Sequence, residues 1–356
     1  MTDTEMDPEK AEAFADRMMG ILNEGALALM TSIGHRTGLF DIMGNLPPST
    51  TDQIARAAGL NERYVREWLG AMVTGGFVEY SPDQATYHLP AEHAAFLTRS
   101  ATPDNIAAFA QYIPLLGTVE DRVVACFKNG GGVPYSAYGR FHEVMAEDSG
   151  QTVVAALIDS ILPLVPGLID ELKSGIDVLD VGCGAGRALN LMAEAFPGST
   201  FVGYDISEEA LSTGRATAEK NGLTNLKFEV RDVTALDAVD RFKLITAFDA
   251  IHDQVHPAGV LQEIARALHP GGTFLMQDIA ASSKVQNNID HPVGPLLYTL
   301  SVMHCMTVSL SENGAGLGTM WGEELARTML NEAGFKKIEV QKLPHDFQNI
   351  YYIIKK

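Results

Sequence analysis

The sequence predicts an α/β protein in which a mainly helical winged-helix domain precedes a seven-stranded sheet with an antiparallel last strand. The chain has 356 residues, and at roughly 150 residues per domain this length corresponds to about two domains. In the first half, apolar residues recur at helical spacing. From Ile176 onward, apolar strand-like segments alternate with helix-sized segments, which is typical of a parallel sheet covered by helices on both faces.

The composition excludes several classes of protein. Hydrophobic residues make up 46% and charged residues 20%, as in globular rather than disordered chains. With 26 basic and 45 acidic residues the formal charge is −19, which disfavours nucleic acid and anionic membranes as partners. The N-terminus lacks the basic start and apolar run of a signal peptide, and three distant cysteines indicate neither disulfides nor a Cys-based zinc site. We therefore expect a cytoplasmic protein.

The first hundred residues show the order helix, turn, helix, hairpin. Residues 9–45 carry apolar positions at helical spacing. Residues 49–60 then predict a short capped helix closed by a glycine, and Asn61 caps a second helix. Residues 77–80 and 85–89 predict the two strands of a hairpin. This order is that of a winged helix.

Seven segments of the second half predict strands. Five of them are separated by helix-sized segments and should therefore be parallel; they are residues 177–181, 200–204, 226–230, 243–248 and 273–277. The last two, residues 335–343 and 349–354, are joined by a loop too short for a crossover helix. The last strand should therefore run antiparallel.

The sharpest local signal is a glycine-rich turn between the first of these strands and a helix. Gly182, Gly184 and Gly186 have the spacing G-x-G-x-G, preceded by Asp180. At such a turn an open parallel sheet binds a nucleotide-like ligand, close to backbone and to a helix N-terminus. A dinucleotide fingerprint requires a small residue where Arg187 stands, and no G-K-[ST] of a P-loop follows. A dehydrogenase is therefore disfavoured.

Acidic residues also follow the next two strands. Asp205, at the end of the second strand, can accept hydrogen bonds from both hydroxyls of a ribose. Asp232 follows the third strand, where an adenine amino group would lie. Each residue alone could be an ordinary turn or cap, but three such features on consecutive strand ends favour a cofactor site.

These segments resemble class I S-adenosylmethionine-dependent methyltransferases. The matching segments are DVGCGAGR at 180–187, FVGYD at 201–205, VRDV at 230–233 and LHPGG at 268–272, together with the closing strand pair. The resemblance covers roughly residues 172–356 and implies a Rossmann-like seven-stranded sheet with S-adenosylmethionine as cofactor. With its winged-helix first half, the whole chain is similar to small-molecule O-methyltransferases and actinobacterial winged-helix methyltransferases.

The resemblance also implies which residues bind the cofactor. They are Asp180, Gly182, Gly184, Gly186, Asp205, Ile206, Asp232, Val233 and Phe248. The glycines would pack against the cofactor, with Asp180 near its amino group and Asp205 on the ribose. Ile206 would lie beside the adenine, and Asp232 and the Val233 N–H would contact the adenine edge.

The winged helix could indicate DNA binding, but its charges disfavour this function. The candidate recognition helix, residues 61–75, has no net charge, and residues 1–100 contain twice as many acidic as basic residues. Neutralisation of phosphates supplies most of the affinity for DNA. We therefore expect this half to form a homodimer, as the resemblance to O-methyltransferases implies.

His252 is the candidate catalytic base, just beyond the fourth strand and at the same sheet edge as the glycine turn. A phenol or alcohol must lose a proton on methylation, and neutral imidazole is the natural base near pH 7. His252 and Asp253 resemble the corresponding pair of plant phenolic O-methyltransferases, although Gln254 replaces their aromatic residue. We predict no metal site, because Pro257 prevents His252 and His256 from forming a helical zinc pair.

Two segments are candidates for the acceptor pocket. The long insert at residues 291–321 is rich in methionine and aromatic residues, which suits an adaptable small-molecule pocket. The predicted acceptor-binding residues are Tyr135, Tyr138, Phe141, His304 and Trp321. His304 is also a second candidate base. Ordinary core packing is the alternative for any one of these residues.

We predict three parts: a winged-helix dimerisation domain at 1–100, a helical connection contributing to the acceptor pocket at 101–171, and a methyltransferase domain at 172–356. The predicted reaction transfers a methyl group from S-adenosylmethionine to a small aromatic or apolar acceptor, most simply at oxygen. Two alternatives remain open. One is methylation of nitrogen or carbon without a histidine base, and the other is a winged-helix regulator that senses the cofactor without turnover.

Overall fold

The structure is a computed structural model that describes residues 6–344, 346 and 348–356. The chain divides into two compact units, Met1–Gly117 and Thr118–Lys356. The boundary between these units lies inside the helical connection predicted at 101–171. The three-part division itself stays a prediction.

The first unit is helical apart from one short hairpin. Its elements are α1 (Pro8–Thr37), α2 (Leu39–Gly44), α3 (Thr51–Ala58), α4 (Glu62–Thr74), β1 (Glu79–Ser81), β2 (Thr86–His88), α5 (Ala91–Leu97) and α6 (Tyr112–Gly117). Two 3₁₀ turns, Arg99–Ala101 and Ile106–Gln111, connect α5 to α6. β1 and β2 pair antiparallel. The predicted winged-helix order is therefore confirmed.

Local sequence explains where the helices of the winged helix begin and end. Thr50 and Gln53 form a capping box at the start of α3, and Gly59 ends that helix in the left-handed conformation. The Asn61 side chain accepts a hydrogen bond from the Arg63 N–H and so caps α4. The buried face of α4 consists of Val65, Trp68, Leu69 and Met72. This face anchors α4 in the apolar core of the first unit.

The second unit begins with helices and continues as alternating strands and helices. Its elements are α7 (Glu120–Asn129), α8 (Phe141–Thr152), α9 (Leu168–Ser174), β3 (Asp177–Val181), α10 (Arg187–Ala195), β4 (Thr200–Asp205), α11 (Glu208–Lys220), β5 (Leu226–Val230), β6 (Phe242–Phe248), α12 (Pro257–Ala267), β7 (Leu268–Ile279), α13 (Gly294–Leu300), α14 (Met306–Ser311), α15 (Gly322–Glu332), β8 (Lys337–Gln341) and β9 (Asn349–Lys355). Two π-helical turns, Leu157–Ile161 and Ser301–Cys305, interrupt the helical segments.

One seven-stranded sheet organises the second unit, in the order β5-β4-β3-β6-β7-β9-β8. The pairs from β5 to β7 are parallel, whereas β9 runs antiparallel to both β7 and β8. The predicted antiparallel last strand is therefore confirmed. The chain order reverses between β3 and β6, and the carboxyl ends of strands at such a switch point form a ligand-binding crevice.

Apolar residues cover both faces of the sheet. On one face, α12 and α15 contribute Val260, Ile264 and Leu330 to a buried cluster. On the other face, residues of α9, α10 and α11 form a second cluster with strand residues such as Phe201. Burial on both faces explains why the parallel strands are continuous apolar runs rather than alternating ones.

Among the described residues, no single helix has the length and apolar composition of a membrane span, and the one pair that passes such a test together, Phe141–Leu164 and Leu168–Ser174, is bent by 105°.

Candidate functional site

The glycine turn, residues 182–186, lies between β3 and α10 at the switch point of the sheet. Gly182, Gly184 and Gly186 all have positive φ, between 52° and 70°. A Cβ at Gly182 would lie 2.6 Å from the Ala250 Cβ, and one at Gly186 would lie 2.3 Å from the Phe228 ring. A Cβ at Gly184 would meet nothing within 4 Å. Gly182 and Gly186 therefore let the turn pack closely on Ala250 and Phe228, whereas Gly184 borders open space.

Asp180 and Asp205 flank the glycine turn on neighbouring strands. The buried Asp180 carboxyl accepts a hydrogen bond from the Thr246 hydroxyl at 2.7 Å. Burial raises the pKa of Asp180 to about 7, although the bond from Thr246 acts in the opposite direction. The Asp205 carboxylate accepts hydrogen bonds from the backbone N–H groups of Gly184 at 2.9 Å and Ser207 at 2.8 Å. Asp205 therefore connects the glycine turn to the start of α11.

The other predicted cofactor residues follow the same sheet edge. Ile206 is 73% exposed, whereas the Val233 side chain is buried. The Asp232 carboxylate accepts hydrogen bonds from the N–H and the hydroxyl of Thr234, and these bonds lower its pKa. Phe248 ends β6 and packs partly buried against the apolar cluster of α9–α11. The structure thus brings the predicted set to the carboxyl ends of β3, β4, β5 and β6.

His252 is buried between two carboxylates. Its Nδ1 lies 2.8 Å from Asp278 Oδ1, and its Nε2 lies 3.3 Å from Asp253 Oδ1. The Cys305 thiol also hydrogen-bonds to the imidazole. Burial alone would lower the pKa of His252, but the charges of Asp278 and Asp253 and these hydrogen bonds outweigh it and raise that pKa well above 6.5. This shift favours the protonated form of the imidazole over its neutral form.

Asp278 contacts His252, and the sequence pattern did not predict this pair. It lies near the end of β7, which pairs with β6. Residues at the carboxyl ends of neighbouring parallel strands meet at one edge of the sheet. The positions of His252 after β6 and Asp278 near the end of β7 could therefore have indicated the pair. Near Asp278, Asp249 has φ 50° and accepts a hydrogen bond from Gln277 at 3.0 Å. Burial and the charge of Asp278 raise the pKa of Asp249 well above its usual value.

The donor atoms around His252 are close enough to share a cation. Those of His252, Asp253 and Cys305 lie within 4.8 Å of one another, and so do those of Asp249, His252 and Asp278. A protonated His252 partly offsets the charge of the two neighbouring carboxylates.

Four of the five predicted acceptor-binding residues form one aromatic cluster: Tyr135, Tyr138, Phe141 and His304. His304 stacks on Phe141 with ring centroids 3.4 Å apart and an interplanar angle of 4°. Tyr138 meets the His304 ring edge-on at 4.7 Å, and its hydroxyl donates to the Met303 carbonyl. Burial raises the pKa of both tyrosines, which keeps their hydroxyls neutral. We refer to these four residues as the aromatic cluster.

His304 is fully buried, and neither of its ring nitrogens has a hydrogen-bond partner among the described residues. Burial lowers the pKa of His304 to about 4, so its ring is neutral at pH 7. Its neighbour Cys305 contacts His252, which joins the aromatic cluster to the candidate base. Trp321, by contrast, lies in the apolar core beside α12 and α15. The structure therefore does not bring Trp321 into the aromatic cluster.

The loop Asp249–Gln254 joins these features into one site. Ala250 packs against Gly182 of the glycine turn, as the close approach of its Cβ shows. The Gln254 carbonyl accepts a hydrogen bond from the Ser309 hydroxyl at 3.0 Å, which ties the loop to the long insert. His252 is therefore held between the glycine turn and the aromatic cluster.

Solved structures share this fold over nearly the whole chain. Human N-acetylserotonin methyltransferase, solved in complex with SAM, aligns with TM-score 0.70 and 17% identity over 100% of this chain and 99% of that one. The mitomycin 7-O-methyltransferase MmcR aligns with TM-score 0.69 and 17% identity over 98% and 100%. At this identity, the likeness establishes the fold.

Curated relatives match a shorter segment. A ubiquinone biosynthesis O-methyltransferase of Paracidovorax citrulli is 31% identical over 131 residues, which are 36% of this chain and 54% of that protein. A 2-heptyl-1-hydroxyquinolin-4(1H)-one methyltransferase of Mycobacteroides abscessus is 34% identical over 118 residues, 32% and 51% of the two chains. The chain thus spans about half the length of the curated relatives it matches.

Two families match separate parts of the chain. Residues 25–99 match the Rv2258c-like winged HTH domain, and residues 172–334 match a methyltransferase domain. Both matches agree with the structure, since residues 25–99 contain the two capped helices and the hairpin, and residues 172–334 contain β3 to β7 with the glycine turn. The chain therefore combines an N-terminal winged helix-turn-helix domain with a methyltransferase domain.

Proposed function

We propose that this protein transfers a methyl group from S-adenosylmethionine to the oxygen of a small aromatic or apolar acceptor, with His252 as general base. The observation that carries the proposal is the position of His252. It lies between Asp278 and Asp253, on a loop that touches the glycine turn and beside a buried aromatic cluster. This arrangement puts a proton acceptor between a cofactor crevice and an apolar pocket.

The residues of the sheet edge fit S-adenosylmethionine. Gly184 borders open space, Ile206 is exposed directly after β4, and carboxylates stand at the end of β4 and after β5. In this assignment Asp180 faces the cofactor amino group, Asp205 accepts the ribose hydroxyls, and Asp232 with the Val233 N–H contacts the adenine. Human N-acetylserotonin methyltransferase, one of the structural neighbours, was solved in complex with SAM, which supports the same choice. When bound, S-adenosylmethionine supplies an electrophilic methyl group on a sulfonium.

His252 removes the acceptor proton in this proposal. Its Nδ1–H is held by Asp278, so Nε2 is the atom that takes the proton once His252 is in its neutral form. Asp278 and Asp253 then stabilise the imidazolium that results. Positioning supplies most of the remaining rate enhancement, because methyl transfer disperses charge and needs an in-line approach in a dry pocket.

The aromatic cluster binds the acceptor in this proposal. Tyr135, Tyr138 and Phe141 offer ring faces and edges that suit a planar, apolar molecule. The unpartnered nitrogens of His304 offer one donor and one acceptor for the polar group of such a molecule. Trp321 stays a predicted acceptor contact. The names of the relatives above, which include a ubiquinone-pathway and a hydroxyquinolone enzyme, support aromatic acceptors.

The proposal is tested by supplying S-adenosylmethionine with a panel of phenols, alcohols and amines and detecting methylated products by mass spectrometry. We expect methylated phenols from the wild-type protein, and a fall in kcat of about 10²–10³-fold in His252→Asn, as for loss of a general base. His269→Gln, an exposed histidine at the start of β7, is the matched control. Methylation of amines alone, or an undiminished rate in His252→Asn, would replace O-methylation by the nitrogen or carbon alternative.

A regulator that senses the cofactor is the second candidate function, and the charges of α4 argue against its DNA-binding form. Arg63 pairs with Glu67 at 2.6 Å, and Arg66 pairs with Glu62 at 2.8 Å. Both arginines of the candidate recognition helix are therefore neutralised within that helix. A salt-sensitive shift of duplex DNA by the protein would revive this candidate.

We further propose a homodimer formed through the N-terminal unit and a cytoplasmic location. The exposed apolar residues of α1 support the dimer. All three cysteines are free thiols, which suits a reducing compartment.

A further inference from the structure

One helix of the second unit contacts both cofactor-binding segments at once. The Arg187 guanidinium, directly after the glycine turn, donates a 2.5 Å hydrogen bond to the Ala146 carbonyl of α8. On the same helix, His142 Nε2 lies 3.1 Å from the Ser207 hydroxyl, directly after Ile206. α8 thus spans the two segments that follow β3 and β4.

The contact at Arg187 depends on a small residue. A Cβ on Gly150, the next turn of α8, would lie 3.1 Å from the Arg187 guanidinium. Gly150 therefore lets the guanidinium lie close along the helix. Arg187 stands where a dinucleotide fingerprint has a small residue, and here its long side chain has a partner. A charged donor strengthens a hydrogen bond to a carbonyl. Because Arg187 is exposed, water reduces this gain, and the bond is of moderate strength.

The contact at His142 connects the cofactor segment to the aromatic cluster. Ser207 caps α11, and its backbone N–H donates to Asp205. On the other side of the imidazole, Nδ1 lies 3.4 Å from the Tyr135 hydroxyl, and the two rings lie 4.9 Å apart. His142 therefore contacts Ser207, which lies beside the proposed ribose-binding Asp205, and Tyr135 of the aromatic cluster.

We propose that α8 forms a wall of the cofactor site beside the segments that follow β3 and β4. Arg187 and His142 are the positioning residues that hold α8 there. This inference rests on the proposed use of S-adenosylmethionine. The wall keeps water from the crevice and sets the spacing between the cofactor and the aromatic cluster, on which an in-line transfer depends. The cofactor can then exchange only when α8 moves away from the glycine turn.

The test measures binding of S-adenosylhomocysteine, the demethylated product, to wild-type protein, Arg187→Gln and His142→Gln. Titration calorimetry gives the Kd, and stopped-flow fluorescence gives the dissociation rate. We expect each variant to raise the Kd by about three- to tenfold, the effect of losing one hydrogen bond of moderate strength. Arg266→Gln and His269→Gln are the matched controls, since both residues are exposed and lie near the start of β7.

Hydrogen exchange provides a second readout that a merely structural role would not change. In the wild type we expect S-adenosylhomocysteine to protect the backbone amides of residues 141–152, and the two variants to lose this protection. Arg187→Lys, which keeps a charged donor, should restore part of it. Melting temperatures of all variants show that the proteins remain folded.

The outcomes separate this inference from the proposed function. If the wild type binds S-adenosylhomocysteine and both variants bind it equally well, with unchanged exchange over α8, the wall is refuted and the proposed function stands. If the wild type itself does not bind, both fall together. The wall is supported if Arg187→Gln and His142→Gln bind more weakly and lose protection over α8 while the wild type and the control variants do not.

Discussion

At the level of single residues, the two carboxylates around His252 determine the pH range of the proposed reaction. The base works only in its neutral form, and Asp278 and Asp253 raise its pKa well above that of an ordinary histidine. We therefore expect kcat/KM to rise with pH through and beyond neutrality. In Asp278→Asn the pKa of His252 should fall, so the rising limb should move to lower pH. The dependence of kcat/KM on pH, measured for the wild type and Asp278→Asn with the same phenol, checks this shift. Coincident rising limbs would contradict the effect of Asp278 on the pKa of His252.

Asp180 predicts proton release when the cofactor binds. Burial raises its pKa to about 7, so at pH 6.5 most of this carboxyl is protonated in the free protein. A cationic amino group beside it favours the charged carboxylate, so binding should expel that proton. Affinity should therefore increase as the pH rises toward 7.

Calorimetry checks this expectation. At about pH 6.5 the enthalpy of S-adenosylmethionine binding should depend on the ionisation enthalpy of the buffer and correspond to less than about one proton released. Asp180→Asn should bind more weakly and show no such dependence. Equal enthalpies in all buffers for the wild type would refute the role of Asp180 beside the amino group.

Some residues of the site could be predicted from the sequence, and others could not. The glycine turn, Asp205 and His252 stand next to strand ends, so their place at one sheet edge follows from local pattern. Asp278 and Cys305 are 26 and 53 positions from His252, and only the packing of the sheet and the insert brings them together. Periodicity carries no information about such pairs.

At the level of elements, the glycine turn and the loop Asp249–Gln254 behave as one packed unit. Gly182→Ala adds a strained φ and places a Cβ 2.6 Å from Ala250, so this loop must shift. We expect a loss of about 3 kcal/mol in stability, with weaker cofactor binding and slower methyl transfer. Chemical denaturation measures the first effect, calorimetry the second, and the rate of product formation the third.

Gly184→Ala is the matched control for that prediction. Gly184 also has a positive φ, 52° against 70° at Gly182, but a Cβ at Gly184 would meet nothing within 4 Å. We expect the cofactor-free Gly184→Ala variant to lose only about 1 kcal/mol of stability, because of backbone strain. Equal destabilisation by the two variants would mean that the contact with Ala250 does not hold the loop.

The order and type of the elements could be predicted well because each carries its own signal. Capping residues bound α3 and α4, and apolar runs mark the parallel strands. The structure differs where tertiary contacts decide. β7 begins at Leu268 rather than at residue 273, because Phe242 pairs with Leu268 before the register shifts. The π-helical turn Ser301–Cys305 likewise has no pattern of its own, although it presents His304 to the aromatic cluster.

At the level of the whole molecule, the N-terminal helix has an apolar surface that the described residues of the chain leave exposed. Residues 8–26 of α1 are all exposed, a length of about 28 Å at 1.5 Å per residue. The exposed apolar residues of α1 are Phe14, Met18, Met19, Ile21, Leu22, Leu29 and Ile33. Exposed apolar residues along such a length support the proposed homodimer, in which the same helix of a second copy would cover them.

The proposed homodimer therefore predicts a solution mass of twice 38.4 kDa by light scattering. Phe14→Ser combined with Leu22→Ser removes two of the largest exposed side chains from the middle of α1, and we expect this variant to shift toward the monomer mass on dilution. Glu12→Ser with Glu24→Ser alters exposed polar positions of the same helix and should leave the mass unchanged. Because these positions lie far along the chain from the glycine turn, binding of S-adenosylhomocysteine distinguishes lost pairing from lost folding. A monomeric wild type at micromolar concentration would refute the dimer and leave the apolar face of α1 to another partner.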